Sequence, residues 1–86
     1  MPINFRSKLH LKLLGYYFSN PNAEYYVREL ARTLSFNGTY ISRELRIFTR
    51  HGIFISSERN RQKYYRLNQK YPLYNEIKVI IKSIKS

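Results

Sequence analysis

Apolar residues recur at helical spacing in the middle of the chain. Val27, Leu30, Ala31 and Leu34 stand at i, i+3, i+4 and i+7, which puts them on one face and predicts a helix over 27–34. Arg28, Glu29, Arg32 and Thr33 fill the opposite face, and Glu29 suits the positive end of the helix dipole. Ile41, Leu45 and Phe48 form a second stripe and predict a helix over 38–51. Ser35, Phe36 and Asn37 read as the turn between them. Asn37 is suited to cap the second helix by accepting a backbone N–H, and Gly52 to close it in a left-handed conformation. The period then drops to two. Residues 53–57 and 62–67 read as paired strands, with Tyr65 and Leu67 on the core side. Asn60, in the connection, tolerates the positive φ that such a turn needs. Tyr25 and Tyr26 read as a short strand before the first of these helices.

The two ends of the chain read as helices. Residues 8–13 alternate like a strand, but the following LLGYYF breaks the alternation. Leu11, Leu14 and Phe18 make one helical row, and Leu9, Leu13 and Tyr17 another, so a helix is predicted over 6–19. Pro72 suits a helical first turn, and Leu73, Ile77, Ile80, Ile81 and Ile84 make one apolar face of a helix over 72–84. Both terminal helices carry more apolar surface than one small core absorbs. That excess predicts a homodimer whose interface includes Leu13, Tyr17, Leu73, Ile77, Ile81 and Ile84.

Charge narrows the choice of partner. Sixteen Lys and Arg face five Asp and Glu, a formal net charge of +11 at pH 7 in 86 residues. Such an excess favours an anionic partner, nucleic acid first. With no cysteine and two histidines far apart in sequence, no metal site and no cofactor is expected. No apolar run nears the ~20 residues that span a membrane, and the N-terminus lacks the order of a signal peptide, so a cytoplasmic protein is expected. No nucleophile motif or phosphate-binding glycine loop is present, and an enzyme is not expected.

The predicted order is α-β-α-α-β-β-α over one domain, residues 1–86: mainly α with a small β-hairpin over 53–67, an α+β winged helix-turn-helix. Residues 25–67 resemble the winged helix-turn-helix domains of ArsR- and MarR-like transcription regulators. The likeness is strongest to short ArsR-like modules, some of them joined to or encoded near nucleotidyltransferases. It is carried by YYVRELA, ISRELRIF, HGIFI and KYYRLN, and YPLYNEI resembles the segment that follows the wing in those modules. Ser35 departs from the glycine many relatives have there, and the cysteine pairs of metal-sensing ArsR proteins are missing.

The resemblance implies that the 38–51 helix is a recognition helix for double-stranded DNA, and that dimers pair through terminal helices. Arg43 and Tyr40 are then the candidates for base contacts, with Ser42 and Arg46 beside them. Asn37, Gly38 and Thr39 lie at the helix N-terminus, where backbone N–H groups meet phosphates. Arg59, Arg61 and Lys63 place charge on the wing. The bland alternative is that these arginines are solvated and that Tyr40 covers the core edge. Two other functions compete. One is a protein-interaction module docking on a companion enzyme or complex. The other is single-strand or RNA binding through surface tyrosines, which the core-like phases of most tyrosines disfavour.

Overall fold

The computed structural model describes residues 1–85. Its elements are α1 (Lys8–Ser19), β1 (Tyr25–Tyr26), α2 (Val27–Leu34), α3 (Gly38–Arg50), β2 (Phe54–Arg59), β3 (Gln62–Leu67) and α4 (Tyr74–Lys85). This is the expected order. Two helices begin later than their apolar patterns suggest. Asn4 forms a local turn, its Oδ1 accepting from the Arg6 N–H at 2.9 Å, and Ser7 then caps α1 through the His10 N–H. Arg6 therefore lies outside the helix. Likewise Pro72 and Leu73 lie in a turn, and α4 starts at Tyr74.

The turn between α2 and α3 is built by two polar residues. Ser35 ends α2 at φ 61, the left-handed region that glycine occupies without steric penalty. Asn37 caps α3, its side chain accepting from the backbone N–H groups of Thr39 and Tyr40. Tyr26, before α2, has no capping side chain; Glu29 instead reaches back and accepts from the Tyr26 N–H at 3.1 Å.

The sheet is antiparallel in the order β1-β3-β2, with Tyr26 opposite Tyr64 and Ser57 opposite Tyr64 on the other side. One face packs on the helices through Phe54, Tyr65 and Leu67. Buried Tyr17 joins α1 to it: its hydroxyl donates to the Tyr65 carbonyl at 2.7 Å and its ring meets Phe54 edge-on at 4.8 Å. Phe48 from α3 stacks on the same Phe54. Asn68 closes the base of the hairpin, donating to the Gly52 carbonyl at 2.8 Å.

The β2–β3 connection is two residues long, and both Asn60 (φ 53) and Arg61 (φ 63) have positive φ, the signature of a tight type I′ hairpin turn. Asn60 was the expected left-handed residue; Arg61 joins it. Of the nine tyrosines, only Tyr17 and Tyr65 are buried. The core-like phases expected of most tyrosines hold: Tyr16, Tyr25, Tyr40, Tyr71 and Tyr74 are half-buried and pack against the core beside these two.

Candidate nucleic-acid interface

The stripe of α3 opposite its buried residues is polar and cationic. Thr39, Arg43, Arg46 and Arg50 are all exposed and stand at i, i+4, i+7 and i+11, so one helix face presents three guanidinium groups. Arg50 was missing from the expected site, although this spacing makes it legible. Tyr40 and Ser42 flank the stripe, half-buried, and Tyr40 packs on the core edge beside Phe36. The Arg43 guanidinium lies 5.2 Å from the centre of the Tyr40 ring, a cation–π distance.

Arg43 is also connected to the interior. Its Nε lies 3.4 Å from Glu44 Oε2, while Glu44 Oε1 is 2.6 Å from His10 Nε2. The Asn4 backbone N–H donates to His10 Nδ1 at 2.9 Å, so the ring hydrogen sits on Nε2 and is donated to Glu44. Glu44 is half-buried and ties α3 to α1.

The expected groups at the start of α3 converge with the wing. A groove of about 500 Å³ runs between them, lined among others by Arg28 of α2, Gly38 and Thr39 of α3, and Gln62 and Lys63 of β3. Exposed Arg28 and Lys63 reach it from different elements. Neither Arg28 nor Gln62 was singled out from the sequence, because neither lies within the recognition helix or among the cations of the wing tip. Asn37 stands exposed at the same end, its side chain already engaged as the cap.

The three wing cations have different surroundings. Arg61 is exposed at the tip of the turn, and Lys63 faces the groove. Arg59 is on the far face of the sheet, held by Glu24 at 2.9 Å and lying 4.2 Å from the centre of the Tyr64 ring. It is not a free wing cation of the expected kind.

The expected dimer residues divide sharply. Leu13, Tyr17, Ile77 and Ile81 are at most 2% exposed and belong to the core of a single chain. They are not available to a partner, because α4 folds back along α1, bringing Tyr74 to Phe18 at 5.4 Å between ring centres. Leu73 and Ile84 are exposed, as is Ile80 of the same expected apolar face, at 41%, and Val79, which was not expected there, is exposed with them at 63%.

A small sheet ending in a two-residue hairpin, set beside a helix-turn-helix whose second helix shows a cationic face, is a winged helix. Among solved structures, HlyU from Vibrio cholerae N16961 is similar to this chain, with a TM-score of 0.66 over 91% of this chain and 76% of HlyU at 22% identity. At that identity the likeness is one of fold. No protein-family model matches the chain, and no curated protein matches it. Among the described residues no helix is long and apolar enough to cross a membrane.

Proposed function

We propose that the chain is a sequence-specific, double-stranded DNA-binding transcription regulator of ArsR-like type. The observation that carries this reading is the convergence of cations from three elements on one side of the fold: Arg43, Arg46 and Arg50 along α3, Arg28 at the start of α2, and Lys63 and Arg61 on the wing. With α3 in the major groove, Arg43 reads base edges, and Arg46 and Arg50 follow the groove. Thr39, Gly38, Arg28 and Lys63 take a backbone phosphate in the groove between wing and helices. Arg61 extends the contact beyond the tip. The net charge of +11 and the resemblance of the quoted motifs support the same reading.

The active unit is proposed to be a homodimer paired through the outer face of α4, with Leu73, Val79, Ile80 and Ile84 at the interface. A two-fold dimer spaces its recognition helices by one turn of DNA, about 34–36 Å, and so selects a palindromic site. The second reading, a module docking on a companion protein, draws on the same apolar strip. Selection from a pool of random duplexes tests both. Enrichment of a palindromic sequence supports the dimeric regulator. A pool that stays random rejects sequence-specific binding and leaves the docking module.

A further inference from the structure

The outer face of the sheet carries a polar cluster that borders the groove: Tyr26 and Gln62 line the groove, and Gln62 stands directly across the hairpin from Arg59. Strand alternation puts Ser57 and Arg59 of β2 and Tyr64 of β3 on this face, opposite the buried Tyr65 and Leu67. Glu24, in the loop before β1, closes the cluster. Its Oε1 accepts from Arg59 Nη1 at 2.9 Å and its Oε2 from the Ser57 hydroxyl at 3.3 Å. The guanidinium also covers the Tyr64 ring, and Tyr64 meets Tyr26 edge-on at 5.7 Å between centres. One cation of the wing is thereby held by a carboxylate that belongs to neither wing strand. Arg61 and Lys63, its neighbours on the hairpin, make no ion pair among the described residues.

We propose that Glu24 sets the strength of duplex binding by competing with a backbone phosphate for Arg59. The inference rests on the DNA-binding reading and concerns its regulation by the chain's own carboxylate. Two features suit Arg59 to change partners. Its side chain is 53% exposed, so it can rotate away without breaking the core. Ion pairs this exposed hold weakly, whereas a phosphate offers the fork-shaped guanidinium two acceptor oxygens. In the free protein the 2.9 Å contact couples the two groups: the Arg59 hydrogen bond holds the Glu24 carboxyl below the ordinary carboxylate range, and Glu24 raises the guanidinium in return. Free protein and complex thus share one arginine between two anions, and the difference between them is the affinity forgone.

The test is a double-mutant cycle on the full chain: the unmodified protein, Glu24→Gln, Arg59→Ala and the double variant, each titrated against one duplex at several salt concentrations. Glu24→Gln keeps shape and Ser57 contact while removing the charge. It is expected to tighten binding roughly two- to five-fold at low salt, the range that exposed ion pairs command. The slope of log K against log salt should steepen by up to about 0.9, one added phosphate contact. In the Arg59→Ala background the same substitution should bring no gain. A gain that persists undiminished without Arg59 would assign the effect to general charge and overturn the proposal. Weaker binding by Glu24→Gln would overturn it too, making Glu24 a residue that positions Arg59 for DNA. Failure of the unmodified chain to bind any duplex sinks the DNA-binding reading itself; binding with a cycle that shows no coupling sinks only this inference.

Discussion

Helices α3 and α4 have 13 and 12 residues, and each buries one apolar stripe in the same core. Their outer faces differ, although α4 also exposes Asn75, Glu76 and Lys82. On α3 the exposed stripe is Thr39, Arg43, Arg46 and Arg50; on α4 it is Val79, Ile80 and Ile84, with Leu73 just before the helix. A charged face is content in water, whereas contiguous exposed apolar side chains point to a partner. The buried stripe fixes where a helix sits; the outer face decides what it meets. The comparison teaches that this small domain exposes two surfaces of opposite chemistry, one cationic and one largely apolar, which under the proposed function would meet an anion and an apolar partner.

The largest expected effect tests the division of α4 into inner and outer faces. Ile81→Ala opens the core and should cost about 2–5 kcal/mol, read as a lower urea midpoint. Ile80→Glu, one residue away, should change stability by no more than ~0.5 kcal/mol while shifting sedimentation toward monomer. Equal destabilisation by the two would erase the distinction.

On α3 the expected losses are in recognition. Arg43→Ala should lose ~1–3 kcal/mol of discrimination between a selected duplex and a random one, with little change in urea midpoint. Ile80→Glu should leave the preference of each half-site intact. If Arg43→Ala weakens both duplexes equally, the residue contacts backbone and the reading face of α3 lies elsewhere.

How much of this was legible in the sequence depends on range. The stripes of α2 and α3 were plain because both partners of each contact lie within one helical turn or two. The Asn37 cap was legible for the same reason, and its side chain does accept from the Thr39 and Tyr40 N–H groups. The burial of Leu13, Tyr17, Ile77 and Ile81 was not legible, since periodicity shows that a face is apolar without showing whether α1, α4 or a second chain covers it. Long-range polar pairs were equally hidden: His10–Glu44 and Glu24–Arg59 span 34 and 35 residues. Arg61 was missed in its conformation, because an arginine at positive φ runs against local preference.

That conformation supplies a smaller test beside α3. A non-glycine residue in the left-handed region stores strain of order 1–3 kcal/mol, partly offset by the entropy that glycine adds to the unfolded chain. Arg61→Gly should therefore raise stability by roughly 0.5–1 kcal/mol and at the same time flatten the salt slope of DNA binding by about 0.9. Ser35→Gly, at φ 61 in the turn before α3, should raise stability similarly and leave binding unchanged. A gain in stability without a loss in binding at Arg61 would remove the wing tip from the interface.

The smallest effect lies in acid and has no counterpart on α4, which forms no ion pair among the described residues. The Arg59 hydrogen bond lowers the Glu24 pKa from its ordinary 4.5. A carboxyl depressed in the folded state stabilises fully above its unfolded pKa and loses that contribution as pH falls through the folded value. The stability difference between the unmodified chain and Glu24→Gln should thus shrink as pH drops below the ordinary carboxylate range. A difference unchanged by acid would mean that the pair contributes nothing through charge.

The central claim, that the cationic side of the fold meets DNA, is tested most directly by titrating the unmodified chain against duplex DNA over a range of salt. Binding at low salt is expected, with log K falling linearly against log salt at a slope of about −4 to −5 for each chain bound, as roughly five neutralised phosphates per chain require. No binding at low salt, or an affinity indifferent to salt, would contradict it.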